Sequence, residues 1–201
     1  MKTEIEVKFI NILIDEIREK LREIGAVCET PMRLMRRALI EEAHHKQEHS
    51  FLRIRDEGDK TTLTFKRRHD PMGKTIDNVK EIEVVVSDFD TTIELFKEAG
   101  WEYTTFQESR RETWKYEEVE IVIDEWPWLE PMIEIEAETE QEVRTVAEKL
   151  GFSWGDAVLG SIDVVYEMVF PNMQCRGIID VKEARFENPS PEQFGERKTG
   201  S

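Results

Sequence analysis

The sequence predicts an α+β fold: strands with one apolar face that helices could cover and one charged face, which would line a tunnel if the sheet curled into a barrel. Three observations predict it. The tripeptide Glu-Ile-Glu occurs three times, at residues 4–6, 81–83 and 134–136, and each copy is followed by a helical pattern that stops at a glycine. Six short segments alternate apolar and charged residues with the period of a strand. Charge is also segregated along the chain. Residues 33–68 carry ten Lys or Arg, among them Arg33, Arg36, Arg37, Arg67 and Arg68, whereas residues 117–148 carry twelve Asp or Glu and one basic residue, Arg144.

The elements follow in order. In the first strand Ile5, Val7 and Phe9 lie opposite Glu4, Glu6 and Lys8. Ile14, Ile17, Leu21 and Ile24 then recur at spacings of three and four, which gives a helix one buried stripe. Gly25 ends it, because glycine takes the left-handed conformation cheaply. Residues 41–50 read as a polar loop with surface histidines, His44, His45 and His49. Leu52 and Ile54 oppose Arg53 and Arg55; Leu63 and Phe65 oppose Thr64 and Lys66; Ile82 and Val84 oppose Glu81 and Glu83. A second helix begins near Asp90, carries Ile93 and Phe96, and stops at Gly100. Ile121 and Ile123 oppose Glu120, Val122 and Asp124, and Ile133 and Ile135 oppose Glu134 and Glu136. A third helix opens on a capping box, Thr139 with Glu142, carries Val143, Val146, Ala147 and Leu150, and stops at Gly151. Residues 161–166 read as a short helix with Ile162, Val165, Tyr166 and Val169 inward. The segments between the copies differ too much for a solenoid, so the pattern is one domain with internal pseudo-symmetry.

An antiparallel sheet with one wet face shows the same alternation. Ordinary wet faces, however, are rich in Thr, Ser, Gln and Lys. Here the polar positions are nearly all Glu, Arg, Lys or Asp, the types that bind metal and phosphate. Carboxylates without His or Cys favour a hard divalent cation, Mg²⁺ or Mn²⁺. Arg forks and Lys ammoniums favour phosphate oxygens. Both together suit a triphosphate. The chain has no Walker run and no kinase glycine loop, so side chains would hold the phosphate.

Composition narrows the classes. The chain has 201 residues, with 28 Lys+Arg against 44 Asp+Glu and a formal charge of −16. Such an acidic protein is not a general nucleic-acid coat. No apolar run reaches the roughly 20 residues that span a bilayer. The N-terminal Met1-Lys2-Thr3-Glu4 is not a secretory leader. Cys28 and Cys175 form no CxxC pair, so neither a zinc knuckle nor a disulfide scaffold is expected. The default expectation is a cytoplasmic protein without nucleic-acid or membrane partners, with a homodimer left open.

At this point the residues resemble a family. Glu4-Ile5-Glu6-Val7-Lys8 matches the ExExK signature of the CYTH superfamily, the triphosphate tunnel metalloenzymes. Leu52-Arg53-Ile54-Arg55 is similar to the family's LRxR strand, Leu63-Thr64-Phe65-Lys66 to its LTxK strand, and Glu81-Ile82-Glu83 to its central ExE. Arg111-Glu112-Thr113-Trp114 resembles its R-x-x-aromatic step; Asp124 and then Glu134-Ile135-Glu136 resemble its closing acidic strands. The resemblance implies a closed or nearly closed antiparallel barrel of about eight strands over residues 1–170, with 171–201 as a C-terminal extension, partly disordered or docking as an arm. It implies that Glu4, Glu6, Asp124, Glu134 and Glu136 hold the metal and that Arg53, Arg55, Lys66 and Arg111 grip phosphate. Glu81 and Glu83 would support them, and Lys8 would be the general base. Two departures stand out. Ser109 occupies a place where many relatives carry a basic residue. Trp126-Pro127-Trp128 replaces a Gly-rich turn and reads as a hydrophobic plug, or as a surface for a nucleobase.

The activity implied is metal-dependent hydrolysis of an inorganic or organic triphosphate. The alternatives are a class IV adenylyl cyclase and a binding module that holds polyphosphate without turnover. Hydrolysis is favoured, since water is always available and the sequence shows no nucleotide pocket.

Overall fold

A computed structural model of the chain describes residues 5–68 and 79–198. Its order is β1 (Ile5–Ile10), α1 (Ile14–Glu23), β2 (Val27–Ile40), α2 (Ala43–Gln47), β3 (Ser50–Asp56), β4 (Thr61–Arg68), β5 (Val79–Val86), α3 (Phe89–Glu98), β6 (Thr105–Tyr116), β7 (Val119–Glu125), β8 (Met132–Ala137), α4 (Glu140–Lys149), α5 (Ile162–Val169) and β9 (Glu183–Ala184). Each Glu-Ile-Glu strand (β1, β5, β8) is followed by its helix (α1, α3, α4), as the repeat predicts. The local reasons are visible. The Asp88 carboxylate accepts from the Thr91 amide at α3, and Thr139 and Glu142 form the reciprocal capping box of α4. Gly25 and Gly151 sit at φ +86° and +84° just past α1 and α4.

The main strands form one antiparallel sheet in the order β1-β8-β7-β6-β2-β3-β4-β5. The two residues of β9 add a parallel pairing with Phe106 and Gln107 of β6. Strands β1 and β5 are the two edges, and among the described residues no ladder joins them. The sheet is therefore eight antiparallel strands not closed by hydrogen bonds, where a closed or nearly closed barrel was expected. It is nonetheless curled, because residues of all eight strands line one cavity.

Two elements differ from the sequence reading. The long strand β2 carries the run Arg33-Leu34-Met35-Arg36-Arg37, which breaks clean alternation, and its register against β6 shifts between Cys28 and Arg33. Residues 43–47 form a short helix, not a loop, and His45 is buried, its Nδ1 accepting from the Glu42 amide at 3.2 Å. A reciprocal cap between Glu42 and His45 holds that turn.

The apolar strand faces lie outward and the helices cover most of them, but Ile82 and Val84 of β5 stay exposed. Ile17 and Leu21 of α1 and Val143, Val146 and Ala147 of α4 cover Val7, Phe9, Ile121, Ile123, Ile133 and Ile135. Ile93 and Phe96 of α3 pack on Ala38, Ile40 and Ile54. A third cluster joins Trp126 and Met132 to Tyr166, Ile178, Val181, Ala184 and Phe194, so residues 171–198 fold back onto their own domain. The 126–128 turn serves that cluster. Trp128 Nε1 donates to the Asn188 carbonyl, and Tyr166 Oη donates to the Pro127 carbonyl.

Candidate active site

With the apolar rows turned outward, period-two alternation turns the charged rows inward. They line a cavity of about 330 Å³ that includes Glu6, Lys8, Arg37, Arg53, Arg55, Lys66, Glu81, Glu83, Arg111, Asp124, Glu134 and Glu136. Every predicted site residue among the described residues thus lines one cavity. Glu4 lies outside the described residues.

The acidic wall is made by β1 and β8. Register pairs Glu6 with Glu136 and Lys8 with Glu134. Glu6, Glu134 and Glu136 each offer a carboxylate oxygen within 4.8 Å of the others. Lys8 Nζ donates to Glu6 Oε1 at 2.9 Å and to the Gly160 carbonyl at 2.8 Å, and lies 3.7 Å from Glu134 Oε1. Burial opposes ionisation of Glu6, but Lys8, a hydrogen bond with Glu134 and the charge of Lys66 outweigh it and hold Glu6 well below the usual carboxylate range. Burial pushes Glu134 up to about 7, with the Glu6 charge adding to the effect against Lys8. The two crowded carboxylates are thus driven in opposite directions, as like charges sharing one site are. An all-oxygen donor set of this kind fits a hard divalent ion.

The basic wall is made by β2, β3, β4 and β6. Lys66 Nζ lies 2.6 Å from Glu81 Oε2. Arg53 Nη2 lies 3.7 Å from Glu83 Oε2, and Thr64 bridges them, accepting from Arg53 at 3.3 Å and donating to Glu83 at 2.8 Å. Glu81 and Glu83 are thus paired with Lys66 and Arg53. Arg55 Nη2 lies 2.6 Å from Glu57. Burial, with Arg53 beside it, pulls the Lys66 ammonium below its ordinary value, opposed by Glu81. Asp124 stands apart from the carboxylate cluster. It accepts two hydrogen bonds from Arg111, Nε–Oδ1 2.7 Å and Nη2–Oδ2 2.6 Å. That fork raises Arg111 above its ordinary value in spite of burial.

Sequence reasoning missed one residue of this wall. Arg37 of β2 is buried in the cavity, its guanidinium 4.2 Å from the centroid of the Trp126 ring. The signal was the basic run at 33–37, without an alternating frame to show which arginine turns inward.

A second chamber of about 370 Å³ shares Arg37, Arg53, Lys66, Ser161 and Ile162 with the first. Its lining is mixed: Leu39, Phe51, Ile178 and Ile179 stand beside Glu41, His49, Asp163 and Arg176.

The sequence profile of the CYTH domain matches residues 2–158. No curated protein matches the chain. Among solved structures it is similar to the PH1012 protein of Pyrococcus horikoshii OT3, with 25% identity, a TM-score of 0.63, and coverage of 77% of this chain and 94% of that one. It is similar in fold to a candidate adenylate cyclase from Vibrio parahaemolyticus (14% identity, TM-score 0.68, 82% and 97% covered). It is also similar in fold to a candidate adenylyl cyclase from Hippeastrum with a dominant triphosphatase activity (16% identity, TM-score 0.50, 74% and 85% covered).

Proposed function

The chain belongs to the CYTH domain family, and on that premise we propose that it hydrolyses a triphosphate with the help of a divalent cation, Mg²⁺ or Mn²⁺. One observation carries the reading: the Glu6, Glu134 and Glu136 cluster and the Arg53, Arg55, Lys66 and Arg111 row face into the same cavity.

Glu6, Glu134 and Glu136 would hold the cation. When bound, it neutralises phosphate oxygens and polarises the phosphorus they surround. Arg53, Arg55, Lys66 and Arg111 bind the remaining oxygens and keep the chain of phosphates in line. Glu81, Glu83 and Asp124 hold those cations in place before substrate arrives, so little reorganisation is needed during reaction. Lys8 is the proposed catalytic residue. Its Nζ, 2.9 Å from Glu6 Oε1, would in its amine form accept the proton of an attacking water.

A second reading has an observation of its own. The second chamber beside the basic wall, where Leu39, Phe51, Ile178 and Ile179 offer apolar surface among charged residues, is a place for an organic group on the terminal phosphate. With ATP held there, attack by a ribose hydroxyl in place of water would make a cyclic nucleotide and pyrophosphate.

Incubation with inorganic triphosphate, ATP and thiamine triphosphate, each with Mg²⁺ or Mn²⁺, separates the readings. Released orthophosphate is the expected result. Cyclic AMP with pyrophosphate selects the cyclase. Turnover of none of the three overturns both in favour of a binding module.

A further inference from the structure

Arg37 differs from every other cation of the cavity. Lys8, Arg53, Arg55, Lys66 and Arg111 each have a carboxylate within 4.0 Å. Arg37 makes no ion pair among the described residues, and its side chain's one hydrogen bond there runs from Nη2 to Ser109 Oγ, 3.0 Å away. Its Nε is buried without an acceptor, as are those of Arg53 and Arg55, but those two have a carboxylate beside them. The side chain is 9% exposed, and its charged neighbours are mainly further cations: Arg53, Arg55 and Arg111, with Asp124 the nearest counterweight. Burial and those three arginines make its charged form costly.

A guanidinium stays charged in proteins, so the cost is borne rather than avoided by losing the proton. Buried charges normally carry a partner, because taking an ion out of water is repaid only by a counter-charge close by. The fold also invests in holding this side chain still. Trp126 supplies a flat face beneath the guanidinium, and Ser109, fully buried on the neighbouring strand, fixes one nitrogen. A cation that is immobilised, unpaired and open to a cavity is prepared for an anion that comes from outside the chain.

We propose that Arg37 is a substrate-binding residue, a further phosphate grip supplied by β2, with Trp126 and Ser109 as its positioning residues. The inference rests on the triphosphate reading of the same cavity. It places the grip where the charged cavity meets the second chamber, a border Arg37 shares with Arg53 and Lys66. It also assigns the 126–128 turn two tasks: Trp128 anchors the C-terminal segment, and Trp126 backs the arginine.

The test uses the full chain with Arg37→Met. A non-hydrolysable imido analogue of triphosphate is titrated calorimetrically with Mg²⁺ present, and ligand-free melting is followed in parallel. Affinity should fall about 10- to 100-fold, the usual worth of a charge-assisted hydrogen bond. The ligand-free melting temperature should hold or rise, because an unpaired buried charge has been removed. A structural arginine would give the reverse, a lower melting temperature. If the wild type binds and Arg37→Met binds within twofold of it, or melts lower, the inference falls and the triphosphate reading stands. If the wild type itself does not bind the analogue, the triphosphate reading falls and takes the inference with it. Failure of Arg37→Met to fold counts as melting lower, and Arg37→Lys is a second test: it keeps the charge and loses the fork, so binding between wild type and threefold weaker also overturns the proposal.

Discussion

Arg18 of α1 grips Glu112 of β6 across the helix–sheet interface, Nη2–Oε2 2.6 Å, while Trp114 Nε1 donates to the other oxygen at 2.7 Å. Glu112 is on the outer face of its strand, away from the cavity, and is only 4% exposed. Removing Arg18 would strand a buried carboxylate. Arg18→Ala should cost about 3 kcal/mol, the lower end for a broken buried pair because Arg18 itself is partly exposed. Urea unfolding checks it, and a loss under about 0.5 kcal/mol would place the pair among ordinary surface contacts.

The same pair sets a pH dependence. Burial opposes ionisation of Glu112, but hydrogen bonds from Arg18 and Trp114 outweigh it and leave its pKa lowered. A carboxylate depressed in the folded state adds stability above its unfolded value, about 4.3, and loses it as pH falls through the folded value. Wild type should therefore exceed Glu112→Gln in stability near pH 7, and the gap should close below about pH 4.3. A gap that widens toward acid would reverse the sign of this linkage.

The carboxylate cluster makes a prediction that does not depend on turnover. Glu6, Glu134 and Glu136 repel one another, and a divalent cation that binds only the folded chain must stabilise it by mass action. At a hundredfold excess over its dissociation constant the gain is about 2.7 kcal/mol. Mg²⁺ or Mn²⁺ should raise the melting temperature of the wild type and do much less for Glu134→Gln/Glu136→Gln. Equal responses in the two proteins would remove these carboxylates from the metal site.

Phe194 tests how far the C-terminal segment belongs to the domain. Its ring is fully buried among Trp128, Tyr166 and Phe170. Phe194→Ala should cost about 3–5 kcal/mol in unfolding free energy. A change under about 1 kcal/mol would mean that this segment is dispensable for the fold.

Much of the fold was legible locally. Ile133 and Ile135 against Glu134 and Glu136 are assigned to opposite faces by the pleat alone, and the capping box at Thr139 and the glycines after α1 and α4 mark helix ends from a few neighbouring residues. The elements that escaped lack such a signature. In β2 two bulky apolar residues interrupt a basic run, so no period-two pattern shows that Arg37 turns inward and Leu34 outward. In α2 the helix is held by a side-chain cap over one short turn, too brief for a hydrophobic stripe.

By itself, then, the sequence determined which side chains share a face, because that depends only on the geometry of consecutive residues. Only the tertiary structure decided which faces meet. Strands β1 and β5 are opposite edges of the sheet, yet Glu6, Glu81 and Glu83 line one cavity because accumulated sheet curvature carries them there. The pairing of Asp124 with Arg111, and not with the other carboxylates, is a matter of cross-strand register between β6 and β7. That Arg37 has no ion-pair partner among the described residues is decided in the same way, since Glu83, Glu81 and Glu134 pair with Arg53, Lys66 and Arg111. Curvature and register are sums over many distant contacts, and no short window of residues contains them.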